Sequence, residues 1–97
     1  GKYELAMSFF KQSLRIQKRI NDQIGMGYTF KEIARIFIEQ KKYKYAILYL
    51  NRAENTARRS YEKQLLLLVN IVRINLELAR GNVRNALKLA NENLKIA

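Results

Sequence analysis

The chain repeats itself at an interval of forty residues. Its opening stretch, GKYELAMSFFKQSL (Gly1 to Leu14), returns within QKKYKYAILYLNRA (Gln40 to Ala53), so that Tyr3, Ala6 and Phe10 correspond to Tyr43, Ala46 and Leu50. A third copy places Val83, Ala86 and Ala90 at the same offsets. A fixed period constrains the fold strongly, because each copy is a supersecondary unit that cannot bury its apolar face alone. Neighbouring copies must stack to complete a core.

Each copy is helical by its spacing. Tyr3, Ala6, Phe10, Ser13, Leu14 and Gln17 fall at steps of three and four, as do Tyr43, Ala46, Ile47, Leu50, Ala53 and Ala57. Small residues on each stripe let a neighbouring helix approach, and larger ones a turn later fill the space beside it. Two further helical segments lie between the copies. In the first, Gly25 to Gln40, Phe30, Ile33, Ala34, Phe37 and Ile38 form one apolar stripe. The second, Tyr61 to Ala79, is apolar around most of its circumference, with a narrow, mainly polar stripe of Leu66, Asn70, Arg73 and Glu77. Such a helix is expected to be buried on more than one side.

The breakers agree with this division. The chain has no Pro and only four Gly, so long helices are permitted. Asp22 and Ser60 are expected N-caps, and Arg80-Gly81-Asn82 supplies a C-terminal Gly followed by an N-cap Asn. Gln40 to Lys42 is the turn with the weakest signal, having no Gly. Five helices are predicted, over 2–20, 24–40, 43–58, 61–80 and 83–96, with short connections that make sequential helices antiparallel neighbours.

Ninety-seven residues allow one domain with one modest core. The absence of Cys and His removes disulfides, thiolate or imidazole metal sites, Cys nucleophiles and His bases together. No cofactor or metal is expected, and no catalytic residue. The longest apolar run, Leu65 to Val69, is far short of the ~20 residues of a membrane span, so a cytoplasmic chain is expected. Nineteen Lys and Arg against eight Asp and Glu give a net charge of +11, which favours acidic partners.

At this point the residues resemble a tetratricopeptide repeat, whose pattern is Trp-x2-Leu-Gly-x2-Tyr in a first helix and Ala-x3-Phe in a second. Phe30, Ile33, Ala34 and Phe37 match the first part conservatively; Ala46 and Leu50 match the second, and Ala6 and Phe10 match it literally. The forty-residue period and the lack of Trp and of a terminal Pro resemble the long-helix variety, as in arrays of bacterial peptide-sensing regulators and of polarity and motor adaptors. The resemblance divides the chain into a second helix of a truncated repeat (1–20), one complete repeat (24–60) and a divergent repeat (61–97). The first helix of that last repeat reads as one residue short, because Ile74 to Ala86 spans twelve positions where Ile33 to Ala46 spans thirteen. It implies an all-α fold of antiparallel helix-turn-helix units stacked as a right-handed α-solenoid segment, with first helices lining a concave face.

It also implies a function: an interaction scaffold, not an enzyme, that binds an acidic peptide in the concave groove as part of a larger regulator or adaptor. Lys31 and Arg35, one turn apart, are candidates to hold a carboxylate, with Tyr28 and Ile38 extending their stripe. The competing reading pairs Lys31 with Glu32 or Glu39 as ordinary surface charge. Asn70 and Arg73, with Asn75, are candidates to read a peptide backbone, against the alternative of a satisfied local contact or a solvent-facing stripe. The basic residues Lys41, Lys42, Lys44, Arg58 and Arg59, interleaved with Tyr43, Tyr45 and Tyr61, suit nucleic acid as an alternative partner. Tyr43 is already assigned to helix packing by the repeat, which weakens that alternative. Exposed terminal helices would also allow homo-oligomers.

Overall fold

The computed structural model describes residues 1–97 and consists of five α-helices, α1 (Lys2–Arg19), α2 (Gln23–Glu39), α3 (Tyr43–Arg59), α4 (Lys63–Ala79) and α5 (Val83–Ile96). Every boundary falls within two residues of its expected position. Helices α2, α3 and α4 each have 17 residues. Since α2 and α4 begin forty residues apart and have equal length, the last repeat is not one residue short. Ile33 corresponds to Arg73, and the apparent deletion arose from matching it to the neighbouring Ile74.

All four connections are built alike. At the first, the Asn21 N–H donates to the Lys18 carbonyl (3.2 Å) and the Asp22 N–H to the Gln17 carbonyl (2.8 Å), the paired bonds of a Schellman motif. The same two bonds recur at Lys41 and Lys42, at Tyr61 and Glu62, and at Gly81 and Asn82. Each turn therefore needs one left-handed residue, and Asn21 (φ 58°), Lys41 (φ 61°), Tyr61 (φ 54°) and Gly81 (φ 80°) supply it at intervals of twenty. The residue after it is the N-cap of the next helix. This is why Ser60, expected to be an N-cap, is the C-cap of α3, and Glu62 takes the N-cap position of α4. Asp22 does cap α2, accepting from the Gly25 N–H at 2.9 Å. Asn82 holds the N-cap position of α5, but its side chain turns back to donate to Glu77 Oε2 at 2.9 Å.

The core lies where α2, α3 and α4 meet. Helix α3 contributes Ala46, Leu50, Ala53 and Ala57, and α4 contributes Leu65, Val69, Val72 and Leu76, joined by Ala34 of α2. Each fully buried Leu or Val adds about 1.5–3 kcal/mol relative to exposure. The three alanines of α3 explain the close approach of its neighbours, as the repeat pattern implied. Tyr43 packs against this cluster and is architectural. Gly27 permits a second close approach, because a Cβ there would stand 2.6 Å from Leu65 Cδ2 and 2.8 Å from Thr56 Cγ2.

Successive helices pack in order, and α2 also packs on α4, whereas α1 and α3, and α3 and α5, stay apart. The even helices therefore form the inner layer and the odd helices splay outward. The slab measures 39 × 34 × 16 Å, its short dimension being two helix layers. As expected, α4 is covered on several sides, by α2, α3 and α5, but Ile71 and Leu78 remain exposed. Helix α1 touches only α2 and buries no residue fully. Its link to α2 includes a hydrogen bond from the Thr29 hydroxyl to Gln17 Oε1 at 3.0 Å.

Candidate binding groove between α2 and α4

The inner layer encloses a small groove of about 150 Å³ between α2 and α4. Arg35, Ile38 and Glu39 line it from α2, and Val72 and Asn75 from α4. Arg35 and Asn75 are forty residues apart and occupy the same position in successive copies, so the repeat that builds the fold also aligns these two polar groups. Arg35 is exposed and takes part in no ion pair. Its guanidinium is thus a free planar donor beside an amide that can both donate and accept.

Lys31 does not join it as a free cation. Its side chain is only 11% exposed; Nζ lies 3.1 Å from Glu32 Oε1 and 5.4 Å from the centre of the Tyr28 ring. Burial of the stem, an ion pair and a ring beneath the ammonium together fix Lys31 and Tyr28 to each other. Of the expected quartet on α2, Arg35 and Ile38 line the groove, while Tyr28 and Lys31 form an adjoining, internally satisfied pair.

Asn70 and Arg73 are engaged on other faces of α4. The Asn70 side-chain amide donates to Asn93 Oδ1 of α5 at 3.0 Å, and Asn93 in turn donates to the Leu67 carbonyl at 3.3 Å. Arg73 Nη2 donates to Asn51 Oδ1 and to Glu54 Oε1 of α3, both at 2.8 Å. Neither residue lines the groove. They tie consecutive helices together, because a polar group on a half-buried helix face must find a partner there. Glu54 also accepts from Arg58 Nε at 2.9 Å. Burial raises the pKa of its carboxyl, but hydrogen bonds and charges from Arg58 and Arg73 outweigh that and hold it below the ordinary carboxylate value.

The charge is divided between the layers. Helix α2 carries two cations and two acids, and α4 two cations and one acid; α1 carries five cations against one acid, α3 four against one, and α5 three against one. The positive excess therefore lies on the outer helices. No three acidic side chains come together in a way that could hold a metal ion, and no helix is long and apolar enough to cross a membrane. Val72 and Glu39 were not expected in the groove; of the polar candidates on α4, Asn75 alone lines it, at a forty-residue offset from Arg35. Comparison of the chain with protein-family models, curated proteins and solved structures finds no match.

Proposed function

We propose that the chain is a segment of a tetratricopeptide-like array acting as a non-enzymatic protein-interaction module, with the α2–α4 groove holding a peptide segment of a partner protein. The observation that carries this reading is the exposed, unpaired Arg35 beside Asn75 above the apolar Ile38 and Val72. Arg35 supplies a fork for a carboxylate, Asn75 an amide for the peptide backbone, and the partly buried Ile38 an apolar contact for one side chain, with the core residue Val72 beneath. Glu39 alongside sets direction, favouring a peptide whose acidic group meets Arg35 and whose basic group meets Glu39. The groove in this reading selects by the position of charges, not by overall acidity.

The test is selection from a displayed random-peptide library on the immobilised chain, followed by affinity measurements on Arg35→Glu/Asn75→Ala. The selected peptides should lose at least tenfold in affinity while the melting temperature of the variant stays within a few degrees. Peptides that bind the variant as tightly as the original chain would remove these residues as the site.

A second reading rests on the outer face of α1 and its C-cap, where Leu5, Phe9, Ile16 and the capping Ile20 are all more than half exposed. Such a stripe supports self-association. Light scattering across a concentration series checks it: a mass that rises with concentration and falls back for Leu5→Lys/Phe9→Lys supports it, and a constant monomer mass contradicts it.

A further inference from the structure

The largest groove of the molecule, about 760 Å³, lies on the other layer, between α1 and α3. These helices do not touch; each leans on α2, and rings from α2 and α3 fill the floor between them. Phe37 packs on Tyr45 and Tyr49 with centroids 5.4 and 5.7 Å apart. Met7 of α1 lines the same groove, and Tyr45 and Leu48 keep 55% and 45% of their surface in water. Around this apolar strip stand Lys11 and Arg15, one turn apart on α1, and Lys42 at the start of α3. None of the three is in an ion pair, and Glu4 is the one acid that lines the groove with them. Unlike the inner groove, where Arg35 faces Glu39, this one combines open apolar surface with a positive excess of three cations over one acid.

We infer that the α1–α3 groove binds an acidic peptide segment of a partner protein, with bulky apolar side chains resting on Phe37, Tyr45 and Leu48 and carboxylates meeting Lys11, Arg15 and Lys42. Charge complementarity selects this occupant: the cations flank the apolar strip, so a peptide in which acidic residues bracket one or two large apolar ones satisfies both at once. From Tyr3 to Arg15 the α1 wall runs about 18 Å at ~1.5 Å per helical residue, enough for some five or six extended residues at ~3.3 Å each. A single-stranded nucleic acid fits less well. Successive bases need successive open ring faces, whereas Phe37 and Tyr49 are half-buried against each other and Arg52 lies 5.1 Å over Tyr49, which leaves Tyr45 as the one exposed ring. This inference does not depend on the inner groove, which is built from different side chains of α2 together with α4.

The test uses three labelled probes at low salt: a 12-residue peptide of alternating Glu/Asp and Leu/Phe, the same peptide with its acids changed to Lys, and a 12-nucleotide oligouridylate. The acidic peptide should bind and the Lys version should not. Lys11→Glu/Arg15→Glu and Lys42→Glu should each weaken binding at least tenfold and Tyr45→Ala severalfold. Reversal of equal size on α5, Lys88→Glu/Lys95→Glu, and Arg35→Glu in the inner groove should change it less than twofold. In spectra of the ¹⁵N-labelled chain, the shifts should centre on Tyr45, Leu48 and Met7. The proposal is overturned if the acidic peptide does not bind, if the α5 reversal weakens it as much as the α1 reversal, or if the oligouridylate binds more tightly and displaces the peptide.

Discussion

Arg73 of α4 reaches across to α3 and donates from Nη2 to Glu54 Oε1 at 2.8 Å. This bond joins two repeats through a side chain that also bonds Asn51, and it closes one side of the core with a charge-assisted contact in a partly buried setting. Arg73→Ala should therefore lower unfolding free energy by about 1–2 kcal/mol in urea titrations, since it leaves Glu54 and Asn51 short of a partner. It should leave peptide binding in the inner groove unchanged, because Arg73 does not line it.

The same contact sets a pH dependence. Folding holds the Glu54 carboxyl below its ordinary pKa, so its contribution is fully present above the unfolded-state value of about 4.3 and is lost as pH falls through the lower folded-state value. Glu54→Gln should be less stable than the original chain at pH 7. Stability curves of the two proteins should converge as the pH drops below about 4, and curves that stay parallel would show that Glu54 titrates alike in both states.

Gly27 should resist the substitution that usually strengthens a helix. Gly to Ala within a helix normally gains about 1 kcal/mol. Here the added methyl meets Leu65, which is fully buried, and Thr56, whose branched side chain is stiff. Gly27→Ala should instead destabilise by about 1–3 kcal/mol, read as a lower melting temperature.

The turns offer a matched pair. Tyr61 is left-handed and 94% exposed, so Tyr61→Gly should remove backbone strain without losing packing and raise stability by about 0.5–1 kcal/mol. Gly81→Ala places a side chain at φ 80° and should lower it by about 1 kcal/mol. Chemical denaturation of both variants checks the two signs together.

The helices were legible because their signals are local: steps of three and four, few breakers, and a period that repeats them. Lys41 and Tyr61 were not legible as left-handed residues, since neither prefers that conformation and only the position, twenty residues from Asn21 and Gly81, marks them. The site was legible in part. Arg35 and Ile38 follow from the stripe on α2. The burial of Lys31 and the partners of Asn70 and Arg73 depend on side chains 19 to 23 residues away or on the packing of α2, which a single helix pattern does not carry. The net charge pointed to acidic partners but not to the layer that holds the excess, because that layer is defined only once α2 and α4 have packed on each other.

The most direct measurement of the central claim is a ¹⁵N titration of the chain with a library-selected peptide that does not compete with the acidic 12-residue probe. The account predicts the largest shift changes at Arg35, Ile38, Val72 and Asn75, saturating together and abolished by Arg35→Glu. Changes that spare α2 and α4 and cluster on the exposed stripe of α1 would contradict it.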